Sequence, residues 1–161
     1  PDLAVAVNSG IDLFAGQGAG RFSAATRVAI AGLAGSSNYL TSGDFNKDGK
    51  ADLVFSGRSE GRIWFAAGNG NGTFQAAVST NAGTRVAGIA AGDVNGDGNL
   101  DLVVGQRDDA TPILNAFLLL GNGNGTFQAA TAIAAGSNPD RVALRDLNGD
   151  GKLDLITTNT G

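Results

Sequence analysis

The side chains with the most chemistry in them are acidic, and they recur in a fixed order. Asp93-Val94-Asn95-Gly96-Asp97-Gly98-Asn99-Leu100-Asp101 (loop II) runs straight into the apolar stretch Leu102-Val103-Val104. Asp44-Phe45-Asn46-Lys47-Asp48-Gly49-Lys50-Ala51-Asp52 (loop I) precedes it, and Asp146-Leu147-Asn148-Gly149-Asp150-Gly151-Lys152-Leu153-Asp154 (loop III) comes after it. Each copy places side-chain oxygens at positions 1, 3, 5 and 9, with glycine at position 6. That donor set suits a hard cation, since calcium takes oxygen ligands from carboxylates, amides, backbone carbonyls and water, and glycine lets the chain curl around it. In loop II the expected ligands are Asp93, Asn95, Asp97 and Asp101, with the backbone carbonyl of Asn99. Without an ion the crowded carboxylates would raise one another's pKa values.

Two other readings compete. An EF-hand begins the same way, but it needs a bidentate Glu at position 12 and a helix after it. Here position 12 is Phe55, Val104 or Thr157, and each loop leads into a β-branched or apolar run. The loops therefore join strands. Asp, Asn and Gly are also ordinary turn residues, yet turn chemistry alone does not ask for an Asp at position 9 in three copies.

Nine of the 15 acidic residues lie in these loops, against 11 Lys and Arg. The formal charge is −4, and three bound divalent ions would bring it to +2, so neither state favours nucleic acid. The absence of Cys removes disulfides and thiolate metal sites. Low charge (16%) and 26 glycines in 161 residues suit short strands and tight turns. No apolar run approaches the length of a membrane span, the longest being Ala116-Phe117-Leu118-Leu119-Leu120. No signal peptide is visible; the sequence opens inside a repeat, which leaves room for a targeting segment upstream of it. Weak calcium loops are dependable where the ion is millimolar, which points to an extracellular or cell-surface setting.

Asp44 and Asp93 are 49 residues apart, and Asp93 and Asp146 are 53 apart. Phe22, Phe74 and Phe127 repeat in the same phase behind Gly-rich turns, at spacings of 52 and 53. Pro1-Asp2-Leu3-Ala4-Val5 matches Ala51-Asp52-Leu53-Val54-Phe55 as the remnant of a further copy. Within one period the pattern predicts strand B at Asp52 to Ser56, strand C at Arg62 to Ala67, strand D at Thr73 to Val78, and strand A of the next unit at Arg85 to Ala91. Four antiparallel strands in about 50 residues make one blade of a β-propeller. The chain is thus expected to be all-β, about three and a quarter four-stranded blades in units near 1–36, 37–84, 85–140 and 141–161. Some 13 strands are fewer than the ~16 of a small closed propeller, so the ring is incomplete in one chain.

The loop pattern and the Thr-Phe-Gln behind the second and third Gly-rich turns resemble the FG-GAP repeat of integrin α-chain propellers. They are closer still to the VCBS-type repeats of bacterial secreted proteins and some fungal propeller lectins. The resemblance covers essentially the whole chain and implies calcium in all three loops. It adds Asp44, Asn46, Asp48, Lys50 (by its carbonyl) and Asp52, and Asp146, Asn148, Asp150, Lys152 (by its carbonyl) and Asp154, to the loop II set. The Phe-Gly and Gly-Ala-Pro signature is degraded to Phe14-Ala15-Gly16, Phe65-Ala66-Ala67-Gly68 and Leu119-Leu120-Gly121, so an integrin-like partner is not implied.

The units differ most in the turn between strands B and C, on the face away from the loops. Variable turns on a rigid scaffold are where partners bind, so Arg58, Glu60, Arg107, Asp108 and Asp109 are the expected contact residues for a protein or carbohydrate ligand. Solvated loop charge is the plainer reading of any one of them. Trp64 and Tyr39 could stack on a sugar, although Trp64 between Ile63 and Phe65 reads as core. With no His and no Cys, and Glu60 the only Glu, catalysis is not expected. The sequence thus points to an adhesion or recognition module. The alternatives are a non-catalytic accessory segment of a larger secreted polysaccharide-active enzyme, or a self-assembling propeller fragment whose chains close the ring together.

Overall fold

A computed structural model of the protein describes residues 2–7, 10–29, 37–57, 61–107 and 115–160, with the backbone alone at 37 and 38. Every element among these residues is a strand. β1 (Leu3–Val7), β2 (Gly10–Phe14) and β5 (Thr26–Ala29) form a three-stranded sheet, beside which β3 (Gly16–Gly18) and β4 (Arg21–Phe22) make a small hairpin. β6 (Ser37–Gly43), β7 (Asp52–Gly57), β8 (Arg62–Ala66) and β9 (Val78–Asn81) form the first complete blade. β10 (Val86–Gly92), β11 (Asp101–Gln106), β12 (Asn115–Leu119) and β13 (Thr131–Ala134) form the second, and β14 (Pro139–Arg145) pairs with β15 (Asp154–Asn159). All pairings are antiparallel between consecutive strands of a blade. The blade sheets are propeller blades, and the ring is not closed by them.

The second strand of each blade is buried on both sides, which explains its unbroken apolar run. Side chains alternate across a strand. In β7, Leu53 and Phe55 join Ile11, Trp64 and Ala66 in one core, while Val54 joins Phe45, Ile63, Val86, Leu102, Val104 and Leu119 in the other. Each core therefore sits between two sheets rather than inside one. Trp64, 3% exposed, is core and out of a ligand's reach.

Strands A, B and C fall where the pattern puts them, but strand D does not. Thr73-Phe74-Gln75 turns back on the end of strand C: Gly68 bridges Phe74, Asn69 N–H donates to the Thr73 carbonyl, and Gln75 N–H to that of Ala67. Strand D begins only at Val78. The same reversal recurs at Gly121 and Phe127, and in the β3–β4 hairpin at Gly16 and Phe22. Asn71 and Asn124 set it by accepting from the N–H and hydroxyl of Thr73 and Thr126. Phe127 packs between blades, edge-on to Phe45 of the preceding loop at 5.9 Å, whereas Phe22, in the same phase, is 46% exposed.

Candidate metal centre

Each acidic loop links the first two strands of a sheet, and the three loops share one hydrogen-bond scheme. The position 1 carboxylates of Asp44, Asp93 and Asp146 accept from the N–H of the position 6 glycines Gly49, Gly98 and Gly151, at 2.9, 2.8 and 2.9 Å. The position 3 amide oxygens of Asn46, Asn95 and Asn148 accept from the N–H of Asp48, Asp97 and Asp150. The position 5 carboxylates accept in turn from the N–H of Lys50, Asn99 and Lys152. The glycines at position 6 have φ near 80°, which a side chain would resist.

Position 9 behaves differently. Asp52 and Asp101 are fully buried, and each spends both oxygens on backbone N–H groups from two separate turns. Asp52 takes Phe45 N–H of its own loop at 3.0 Å and Gly68 N–H of the turn after strand C at 2.8 Å. Asp101 takes Val94 at 3.0 Å and Gly121 at 2.8 Å in the same way. Asp154 holds Leu147 N–H at 2.9 Å, and Asp2 holds Gly16 N–H at 2.8 Å, so the first sheet carries the remnant expected from the likeness of Asp2 to Asp52. The sequence offers no hint that Gly68 and Gly121 are partners of this Asp except that glycine recurs there. A Cβ at either one would run into the backbone carbonyl of Ala51 or Leu100.

The electrostatics reflect these contacts. Backbone N–H groups hold Asp48, Asp97 and Asp146 below the usual carboxylate range. Burial pushes Asp52 up, its two N–H partners oppose that, and the charges of Asp48 and Asp44 add to the rise. A cation among these groups would relieve that repulsion. The donor set fits a hard ion, being all oxygen, and its oxygens accept a single N–H and keep a second lone pair, except Asp93 Oδ1, which accepts from both Gly96 and Asp97. No three His, Cys, Asp or Glu side chains among the described residues stand grouped as a formed metal site, so the fit rests on donor chemistry. Asp44, Asn46, Asp93 and Asp154 are half-buried, while Asp48, Lys50, Asn95, Asp97, Asp146, Asn148, Asp150 and Lys152 are exposed and Asn99 half-buried.

Of the expected partner residues, Arg107 lies at the end of β11 with Nη1 3.8 Å from Asp140 Oδ2 of the next sheet. Arg58, Glu60, Asp108 and Asp109 lie outside the described residues, as do the rest of the variable turns.

Four-stranded blades whose first two strands are linked by an acidic loop, bridged in both complete blades to a glycine turn, define a repeat-built propeller segment. The chain belongs to the FG-GAP-like repeat family, whose model matches residues 1–55, 44–104 and 105–157. No curated protein matches it. Among solved structures it is similar to an Agrocybe aegerita lectin described for specific recognition of non-reducing terminal N-acetylglucosamine. That match has a TM-score of 0.65 and 22% identity over 97% of this chain and 42% of the lectin. It is also similar to a chain of the Photorhabdus luminescens Tc holotoxin pore, with a TM-score of 0.59 and 17% identity over 97% of this chain and 8% of that one. The chain thus spans less than half of either neighbour.

Proposed function

We propose that this segment is a calcium-stabilised extracellular propeller module whose work is recognition, with carbohydrate as the ligand class. The observation that supports calcium is the set of hydrogen bonds that loops I, II and III share at positions 1, 3 and 5, which orders three all-oxygen donor sets in a common way. Asp44, Asn46, Asp48, the Lys50 carbonyl and Asp52 would hold the first ion. Asp93, Asn95, Asp97, the Asn99 carbonyl and Asp101 would hold the second, and Asp146, Asn148, Asp150, the Lys152 carbonyl and Asp154 the third. The ion's part is structural: it draws together carboxylates that otherwise repel across a Gly-rich turn. Carbohydrate is favoured by the likeness to the lectin, whose own ligand is a sugar. The face carrying Arg58, Glu60, Arg107, Asp108 and Asp109 is the proposed contact surface. The extracellular assignment rests on family and loop chemistry; no helix among the described residues is long and apolar enough to cross a membrane.

The module is non-catalytic on this reading. Asp12, a free-standing candidate for carboxylate chemistry, is taken up by an ion pair with Arg27. A purely structural role inside a larger protein is the second reading, supported by the match to a small part of a toxin chain.

Thermal melts in millimolar calcium and in excess chelator test the first half of the proposal. Ligand linkage adds about 2.7 kcal/mol per site at a hundredfold excess over Kd, so chelation should lower Tm by several degrees. An unchanged melt would overturn the calcium assignment. Glycan-array binding of the calcium-loaded protein tests the second half, and an array with no hits would leave the structural role.

A further inference from the structure

The three loops are not electrostatically equal. Loop I carries Lys50 at position 7, with Nζ 3.4 Å from Asp48 Oδ2, and loop III carries Lys152 at the same position. Loop II has Asn99 there and no lysine of its own. Loop I, however, has a second lysine, Lys47, at position 4, where loops II and III have Gly96 and Gly149. All three residues take left-handed φ angles, of 60°, 77° and 79°. Glycine adopts that conformation freely and lysine only at a cost, so Lys47 stands where the backbone would favour glycine.

Its side chain reaches the neighbouring blade. Lys47 Nζ lies 3.9 Å from the place a Cβ on Gly98 would take, and Cε lies 3.5 Å from the corresponding place on Gly123. Gly98 is next to Asp97 in loop II, and Gly123 lies in the turn after that blade's third strand. Both are ordinary contact distances, and the side chain that needs glycine at 123 is Asn99, whose Oδ1 would meet a Cβ there. Asp97 is held low chiefly by Asn99 N–H and the Asn95 side chain, with the Lys47 charge acting in the same direction.

We propose that Lys47 is a counter-charge of loop II, supplied across the blade interface by loop I, and that it weakens calcium binding in loop II while steadying that loop without metal. This rests on the calcium reading of the loops. A divalent ion entering loop II must bind against the ammonium or displace it. A single charge at this range in a water-like dielectric weakens binding about three- to tenfold at low salt, and less as salt screens it.

The test compares the full chain with Lys47→Met, which keeps the stem and loses the charge, and with Lys47→Arg. Calcium is titrated while the amide resonances of Gly49, Gly98 and Gly151 report each loop separately. Lys47→Met should bring the Gly98 midpoint about three- to tenfold lower, move Gly49 less and leave Gly151 in place, and Lys47→Arg should restore the wild-type midpoint. A Gly98 midpoint that does not move, or a Gly49 midpoint that moves as far, would overturn the inference. In chelator, Lys47→Met should melt about 1–2 °C below wild type, with the gap closing at high salt. No gap there would overturn the counter-charge itself. If no glycine responds to calcium in any variant, the calcium reading falls and the affinity claim with it, while the chelator melt still decides the counter-charge.

Discussion

Asp101 and Asp154 hold the same place in two copies of one motif, yet they sit in different surroundings. Asp101 is fully buried between two turns and takes a backbone N–H from each, Val94 and Gly121. Asp154 is half-buried and takes one, from Leu147, because β14 and β15 have no third strand and adjoining turn beside them among the described residues. Asp2 is the mirror case, exposed and holding only the turn glycine Gly16. The difference shows that position 9 is a clip between the loop and the turn across the blade, and that it becomes a core residue only where both halves are present. The clip also gives Asp a role at position 9 without any ion, so that residue is weaker testimony for calcium than its recurrence alone implies.

The largest expected effect breaks the clip where it is complete. Asp101→Ala leaves the buried Gly121 N–H and the half-buried Val94 N–H without partners, each costing about 1–3 kcal/mol, so a loss of about 3–5 kcal/mol is expected. Asp154→Ala strands the N–H of exposed Leu147, which water can reach, and should cost about 1 kcal/mol. Urea melts in excess chelator measure both without a contribution from metal. Equal losses at the two positions would show that burial between the turns is not what sets the strength of the clip.

A smaller gap is expected between glycines. Gly121→Ala would thrust a Cβ into the Leu100 carbonyl and push the turn off Asp101, a backbone clash that cannot be relieved by a rotamer change. The expected cost is about 2–4 kcal/mol, in the range of overpacked sites and lost buried bonds. Gly149→Ala meets nothing within 4 Å and suffers only its left-handed φ of 79°, so about 1 kcal/mol is expected. Chelator melts of the two variants check this, and a Gly149→Ala loss as large as that of Gly121→Ala would remove the close-approach argument.

The parts legible in the sequence are those with local causes. Strands B declare themselves because they are buried on two faces, and the loops because oxygen donors at alternate positions have few other uses. Strand D starts later than its pattern predicts because Thr73-Phe74-Gln75 has strand-like composition, while the Asn-Gly turn before it folds those residues back onto Gly68. Nothing local distinguishes the two outcomes. Phe45 likewise reads as a loop residue of unstated purpose, yet it is 2% exposed, wedged edge-on between Phe65 of its own blade at 6.3 Å and Phe127 of the next at 5.9 Å. Its counterpart Leu147 is 68% exposed. The Asp52–Gly68 and Lys47–Gly98 contacts depend on turns from different parts of the chain meeting in space, which a one-dimensional period cannot display.

Two carboxylates of metal-free protein, Asp146 and Asp52, have opposite tendencies. Asp146 is held below the ordinary 3.8 by the N–H groups of Gly151 and Gly149. Its contribution to stability is therefore present above pH 3.8 and is lost as pH falls through its lower folded value. Asp52 is raised above 3.8, first by burial and then by Asp48 and Asp44, so its contribution has the reverse sign: present below pH 3.8, and lost as pH rises through its folded value. At neutral pH the ionised Asp52 is a burden on the fold, and a cation in loop I would lift it. Carboxylate NMR titrations in chelator should find Asp52 titrating above 3.8 and Asp146 below it, and calcium should bring Asp52 down. An Asp52 midpoint at or below the ordinary value without metal would mean that its two N–H partners outweigh burial, and that loop I does not need an ion to make its buried carboxylate tolerable.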